Sequence, residues 1–396
     1  AHESVKRDGK IDKRLVVMRI HILLTSDATS VSETFFRKTI EDFQKNGCEV
    51  IIVSGKKKGD RENAIYTGFA TPSLFTRAWK LMAFLKEFPQ TVDFYDKVRW
   101  GLLGDSASRR LKKRLKNEKI EFLLVEYIES AVRASKFLNN VEVPFCVCAH
   151  GYDASKMLSS RAYCQILRSL NPKFFLSVSE HLKRRLILVG IPERKIFVQP
   201  VDGSVSKTVL QKKYDFVSVG RFTEKKYPIA LIYSMRELVR SHPESQLIMI
   251  GDGPLWSECA TAVDCFGLSK NVRMLGAMNH AETLSFIAQS KIFLQHSVTS
   301  SQGDQEGYPT SISEAMLMGL PVISTIHSGI SEAVIDGVNG RLVQEFDFQT
   351  FALRMSELLS NDRLIKQMGQ AGIKLAKQHN PEGKRVEVML NLIKGN

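Results

Sequence analysis

The chain has 396 residues, more than one hydrophobic core ordinarily serves and enough for two domains of similar size. Hydrophobic residues make up 43 % and charged residues 25 %, an ordinary globular composition, and no apolar run is long enough to cross a bilayer. The net charge is +14, and it is unevenly placed: residues 1–200 hold 36 Lys+Arg against 22 Asp+Glu, whereas residues 201–396 hold 20 of each.

The first segment, Ala1 to Arg14, is polar and lacks the apolar stretch and small-residue cleavage site of a secretion signal, so it reads as a lead-in. Strand-like runs then follow at Val16–Leu24, Glu49–Val53, Phe122–Val125, Phe145–Ala149, Phe174–Val178 and Ile196–Gln199. They recur at Asp215–Val219, Gln246–Ile250, Val272–Leu275, Ile292–Gln295, Pro321–Ser324 and Gly340–Val343. Most are short, continuous and rich in Val, Ile, Leu and Phe, as parallel strands covered on both faces are. Amphipathic segments such as Glu33–Asn46 and Tyr227–His242 lie between them. Repeated β-α units predict doubly wound parallel sheets with right-handed crossovers. The pattern pauses over Pro200 to Lys213, which places a domain junction there: an N-terminal Rossmann-like domain over 15–203 and a C-terminal one over 204–380. A final helix over about 381–396 is available to pack back on the first domain.

None of the spacings among Cys48, Cys146, Cys148, Cys164, Cys259 and Cys265 is a zinc pattern, and a chain of this size needs no disulfide staples, so buried free thiols are expected. The excess positive charge peaks at Arg109 to Lys119 (RRLKKRLKNEK), with Lys56 to Lys58 and Lys183 to Arg185 adding to it. Each run alone reads as a solvated helix face; their concentration in one half predicts a polyanionic partner such as nucleic acid, anionic lipid or a phosphorylated acceptor. Trp79, Phe84, Phe88 and Trp100 lie near these runs and read first as core, second as residues that dip into a membrane interface.

The most informative stretch is Glu306 to Val322 (EGYPTSISEAMLMGLPV). Gly307 permits an unusual turn, Pro309 suits a first helical turn, and a helix is predicted over about Ser311 to Met318, ending at Gly319. The N-terminus of that helix is a natural seat for a phosphate. Glu306 is expected on the loop facing a cleft, and Glu314 in the first turns. Ser311-x-x-Glu314 also fits a capping box, which would occupy Glu314 locally. Two further turns follow strands. In Gly220-Arg221-Phe222-Thr223-Glu224-Lys225-Lys226, Arg221 can fork onto phosphate oxygens and Lys226 can add a second charge. In Gly251-Asp252-Gly253-Pro254 the glycines admit a ligand or merely make a tight turn.

Taken in order, GRFTEKK, IGDGP, EGYPTSISEAMLMGLPVIST and HSGISEAVIDGVNGRLV resemble the C-terminal domain of family 4 glycosyltransferases over residues 215–380. The likeness continues more loosely at SETFFRKTIEDFQKNGCEVIIVSG, AHGYDAS and SVSEHLKRRLI. The resemblance implies a GT-B fold, in which two such domains face each other across a cleft, and a retaining hexosyltransferase that uses a UDP- or GDP-linked sugar. It implies that Arg221 and Lys226 neutralise the donor diphosphate, that Glu306 holds sugar hydroxyls, and that Glu314 holds the ribose. Gly307, Tyr308, Pro309 and Thr310 would line the sugar and phosphate pocket, with Gly251 and Gly253 nearby. His150 would approach the reacting sugar from the N-terminal side, while Asp153 and Ser32 resemble the exopolysaccharide and lipopolysaccharide subgroup, Ser32 lying where an acceptor should approach. Departures stand at Tyr227, where glycine is usual, at Ser328-Gly329 in place of a Gly-Gly pair, at Ser331 in place of proline, and at Glu126-Tyr127 in place of a histidine-rich strand end.

With no Asp-x-Asp or histidine cluster in the sequence, leaving-group charge is expected to be met by Arg221, Lys226 and the helix N-terminus, with no metal and no cofactor beyond the donor. The implied acceptor is a saccharide or polyprenyl-diphosphate-linked saccharide in surface polysaccharide assembly. The implied place is cytoplasmic, at the inner face of the plasma membrane, with peripheral contact through the basic half. Two other readings compete: another GT-B enzyme such as a nucleotide-sugar epimerase, and a basic nucleic-acid-binding protein, although the basic runs lack interleaved aromatics or a recognisable binding module.

Overall fold

The computed structural model describes residues 18–24, 34–54, 64–66, 119–205 and 210–395. Ser32, the run Lys56 to Lys58, all of the run from Arg109 except Lys119, and the aromatics Trp79, Phe84, Phe88 and Trp100 lie outside the described residues.

Every expected strand is present. The first sheet holds β1 (Met18–Leu24), β2 (Cys48–Ser54), β3 (Ala64–Tyr66), β4 (Phe122–Glu126), β5 (Phe145–Ala149), β6 (Phe174–Ser177) and β7 (Ile196–Val198). The second holds β8 (Tyr214–Val219), β9 (Leu247–Ile250), β10 (Val272–Met274), β11 (Ser290–Gln295), β12 (Val322–Thr325) and β13 (Gly340–Val343). Only β3 escaped the sequence reading; three residues are too few to show a pattern. The orders are β3-β2-β1-β4-β5-β6-β7 and β10-β9-β8-β11-β12-β13, and every pairing is parallel. Each order reverses once, between β1 and β4 and between β8 and β11, and the crevice beyond the strands' carboxyl ends at such a reversal is where doubly wound sheets bind ligands.

All five residues of β4 and all five of β5 are buried, as continuous apolar runs in a two-sided parallel sheet require. Cys146 and Cys148 pack in this core. Five of the cysteines are buried free thiols, whereas Cys265, at the solvent end of the helix Trp256–Cys265, is exposed.

The chain crosses between the sheets twice. Asn380 joins the crossings: its side chain accepts from Gln199 Nε2 at 2.7 Å and donates to the Val201 carbonyl at 2.7 Å. The Gly383 N–H donates to Asp202 at 2.9 Å. Beyond this the helix Lys384–Lys394 returns to the first sheet, burying Val386, Met389 and Leu390 against Ile20, Phe122 and Cys148. The same helix carries Arg385 into that interior, where it is 1 % exposed.

Candidate active site

The strand ends and loops that converge on the cleft carry most of the residues expected there. After β8 the chain turns through Gly220, Arg221 and Phe222 into a short 3₁₀ turn, Glu224–Lys226. Lys226 Nζ reaches Glu306 Oε1 at 3.1 Å, an ion contact without hydrogen-bond alignment. Lys225 lies beneath, 3.0 Å from Asp304 and donating to the Gln305 carbonyl at 3.3 Å. Arg221 stays exposed at the rim and forms no ion pair among the described residues. Burial pushes the Lys226 ammonium down, with the charges of Lys225 and Arg221 acting the same way and Glu306 opposing them. Burial alone would raise the Glu306 carboxyl, but Lys226 and Lys225 outweigh it and hold the group below its ordinary value. The site is thus a nearly buried carboxylate inside a cationic surround, suited to an anionic ligand bearing hydroxyls.

Glu306 is braced from behind. His327 Nε2 accepts the Glu306 N–H at 3.1 Å, and since an N–H can only donate, the ring proton sits on Nδ1, which faces Glu345 Oε1 at 2.6 Å. The Ser328 hydroxyl donates to the Glu306 carbonyl.

The helix after this loop is Thr310–Leu317, followed by Met318 and Gly319, the latter at φ +75°. Its N-cap is Pro309 and no side chain caps it, so its positive end remains open to a phosphate. The capping box does not form: Glu314 Oε1 pairs with His280 Nε2 at 2.7 Å, and the Ser311 hydroxyl donates to Gln295 at 3.3 Å. Glu314 is therefore held by a residue from another helix, His280–Ala288, rather than by its own. Tyr308 lies buried in the core shared by both halves, where burial raises its phenol to about 12; what it offers a ligand is backbone.

Gly307 brings the two domains together. A Cβ there would stand 1.6 Å from the His150 carbonyl oxygen, so only glycine fits. Further contacts close the same face. Gln305 N–H donates to Ser155 Oγ at 3.1 Å, and His181 Nε2 meets Gln305 Oε1 at 3.0 Å. Glu332 accepts the N–H groups of Glu180 and His181 at 2.8 and 2.7 Å, capping the helix Glu180–Leu188 from the opposite domain.

On the N-terminal side His150 follows β5, and its Nε2 lies 2.6 Å from Glu126 Oε2 at the end of β4. Asp153, also expected at the site, is engaged by the backbone around it. Its carboxylate accepts the N–H groups of Ile128, His150 and Gly151 at 2.8, 3.0 and 3.0 Å, so it holds the loop that carries His150. Gly251 and Gly253 are likewise set by neighbouring chain: a Cβ at either would stand 1.9 Å from the Gly220 oxygen or 2.5 Å from the Phe222 oxygen. They seat the Arg221 loop and need no ligand to explain them. Ser32 lies outside the described residues.

Two departures from the family pattern have a common cause. Tyr227 has φ 39° and Ser328 has φ 47°, left-handed values that favour the glycine usual at both places. Each side chain offsets the strain, Tyr227 by ring contacts with Phe346, Phe348 and His296, Ser328 by its bond to Glu306.

Sequence reasoning gave no role to Glu126, His280, His327, Glu345 or Arg385: Glu126 stood out only as a departure, His327 only as the first residue of HSGISEAVIDGVNGRLV, and the other three stand in none of the quoted motifs. It also gave no metal-ligand set, yet ligand atoms of Glu126, Cys148 and His150 fall within 4.8 Å of one another.

Residues 204–375 match the family model described as Glycosyl transferases group 1. That range contains Arg221, Lys226, Glu306 and Glu314. WcaL of Salmonella typhimurium, which bears the name of a colanic acid biosynthesis glycosyltransferase, is 31 % identical over 245 residues, 59 % of this chain and 60 % of its own. The amylovoran biosynthesis glycosyltransferase AmsK of Erwinia amylovora is 33 % identical over 194 residues, 47 % of this chain and 48 % of its own. The matches therefore span about half to three fifths of these relatives' length. Among solved structures, Anabaena Alr3699/HepE in complex with UDP and glucose superposes with a TM-score of 0.71 at 15 % identity, covering 94 % of this chain and 99 % of its own. Near-complete coverage at that identity establishes the GT-B fold: two Rossmann-like domains across a cleft, as the sequence implied.

Proposed function

We propose that the protein is a retaining, nucleotide-sugar-dependent hexosyltransferase that extends a saccharide or lipid-linked saccharide in exopolysaccharide assembly. The observation that carries this is the meeting of Lys226 and Glu306 at 3.1 Å beside Gly307, which itself abuts the carbonyl of His150 from the other domain. The names borne by WcaL and AmsK support the exopolysaccharide setting, and the UDP and glucose bound by HepE support a nucleotide-sugar donor.

In this reading the donor diphosphate sits between Arg221, Lys226 and the uncapped end of the helix Thr310–Leu317, which take up leaving-group charge without a metal. The entering phosphate draws Lys226 away from Glu306, and the freed carboxylate accepts sugar hydroxyls. Glu314 exchanges His280 for the ribose. The acceptor hydroxyl attacks from the face the diphosphate leaves, passing its proton to the departing phosphate, so the anomeric configuration is kept. His150 lies against the reacting sugar rather than acting as the base.

Among the described residues no helix is long and apolar enough to cross a membrane. A lipid-linked acceptor would be met at a membrane surface, where basic residues contribute about 1 kcal/mol each.

The deciding test is calorimetry with UDP, GDP, ADP and their sugar conjugates on wild type, Arg221→Ala and Glu314→Ala, followed by transfer assays. Binding of one nucleotide, lost in both variants, together with transfer to an added saccharide acceptor, is expected. Interconversion of the donor sugar without transfer would favour an epimerase, and absence of any nucleotide binding would overturn the assignment.

A further inference from the structure

Glu126 stands where the family resemblance leads one to expect a histidine-rich strand end, and it occupies the reversal point of the first sheet, at the carboxyl end of β4. In the β4–β5 register it pairs with Cys148. Side chains alternate along a strand, so Cys148 and His150 share a face and His150 comes over Glu126. Glu126 is 0 % exposed, with Oε2 at 2.6 Å from His150 Nε2. Arg385 lies behind it, Nη2 4.0 Å from the same oxygen, and donates from Nη1 to the Gln199 carbonyl at 2.9 Å. Among the described residues neither Nε nor Nη2 of Arg385 has a hydrogen-bond partner, nor has Oε1 of Glu126.

A buried charge pair is an expensive way to fill a core, since well-packed apolar residues serve as well or better. The neighbours of Arg385 on its helix, Val386, Met389 and Leu390, do fill the core that way. The pair is also not optimised for itself, because the carboxylate spends its close contact on His150 and keeps Arg385 at 4.0 Å. We propose that Glu126 and Arg385 are positioning residues for His150: the carboxylate holds the imidazole with Nε2–H toward β4, and Arg385, on the helix Lys384–Lys394, stands behind that carboxylate as its counter-charge. The last helix of the chain thereby completes the N-terminal half of the active site. This rests on the transferase reading of His150.

Two physical points support the assignment. Burial would raise the Glu126 carboxyl, but His150 and Arg385 together outweigh it and hold the group below its ordinary value. An ionised carboxylate can only accept, so the proton between the two residues belongs to His150. The same three ligand atoms of Glu126, Cys148 and His150 make a poor cation site as they stand. At 2.6 Å the oxygen and nitrogen are hydrogen-bonded, closer than two ligands of one ion sit when each bond is about 2 Å long, and Arg385 opposes a second cation.

The test combines kinetics with ¹⁵N histidine spectra of the full chain, His150 being assigned by its loss in His150→Gln. Wild type is expected to show His150 protonated at Nε2. Glu126→Gln and Arg385→Met are each expected to shift the His150 resonances and the pH-rate profile. They should lower kcat by up to about 100-fold, the cost of a small misplacement at a reacting centre, with KM for the donor within about twofold. UDP and GDP titrations and circular dichroism establish that each variant is folded. Arg385→Lys, which keeps the charge, should recover part of kcat. Unmoved His150 resonances in folded, nucleotide-binding variants overturn the inference alone. Stoichiometric zinc in wild type, lost in Glu126→Gln, overturns it in favour of a metal centre. Failure of wild type to bind any nucleotide sugar overturns the transferase reading, and with it the catalytic purpose of the Glu126–Arg385 pair.

Discussion

Lys226 Nζ and Glu306 Oε1 stand 3.1 Å apart at the mouth of the second sheet, with the carboxylate side chain only 8 % exposed. Lys225 adds a second cation beneath the same loop. Glu306→Gln leaves the largely buried Lys226 without its counter-charge, while Lys225 keeps Asp304, and is expected to cost about 3–5 kcal/mol. Lys226→Met in that background should return part of it, because it removes a buried charge that has lost its partner. Denaturant titration of the two variants reads both effects. A full loss in activity is expected in each.

His296 follows β11, fully buried among Tyr227, Phe348 and Phe351, and neither ring nitrogen has a hydrogen-bond partner among the described residues. Burial pushes the imidazole down from 6.5 to about 4. The unfolded chain therefore binds the proton first, and stability is lost as pH falls below 6.5, reaching about 3 kcal/mol below pH 4. His296→Phe should flatten that dependence, as measured by urea unfolding from pH 4 to 7.

Asp202, at the first crossing between domains, has the opposite sign. Burial raises its carboxyl from 3.8 to about 6, so its protonated form is favoured in the fold and stability is lost as pH rises through that window. Asp202→Asn keeps an acceptor for the Gly383 N–H and should stabilise the protein at pH 7 by up to about 3 kcal/mol. Because His296 and Asp202 oppose each other between pH 4 and 6, His296→Phe and Asp202→Asn should change the wild-type slope there in opposite directions.

At Ser328, φ 47° and the hydroxyl bond to Glu306 work against each other. Ser328→Gly relieves the strain and loses the bond, so a net change within about 1 kcal/mol is expected. Ser328→Ala keeps the strain and loses the bond, and should cost about 1 kcal/mol or more. A Gly variant markedly less stable than the Ala variant would contradict this account.

Glu332 caps the helix Glu180–Leu188 across the cleft, and Gly307 lets His150 approach. Glu332→Ala strands two N–H groups at a helix start, which costs about 1 kcal/mol locally and removes a domain contact. Gly307→Ala forces the two backbones apart. Small-angle scattering should report a larger radius of gyration for both variants without nucleotide, and donor KM should rise.

The chain order alone determined the two parallel sheets, and the positions of Arg221, Lys226, Glu306 and Glu314. Strand runs, helix ends and phosphate-binding turns are written in neighbouring residues, so spacing reveals them. Tertiary structure decided what each side chain does. Glu314 is claimed by His280 instead of its own cap, Asp153 by three backbone N–H groups, and Gly251 and Gly253 by the loop they seat. The brace behind Glu306 comes from His327 and Glu345, and the charge behind His150 from Arg385 at the far end of the chain. Such pairings depend on how strands are ordered and where the last helix returns. Buried polar groups find partners by distance in space, and local sequence carries no record of that distance.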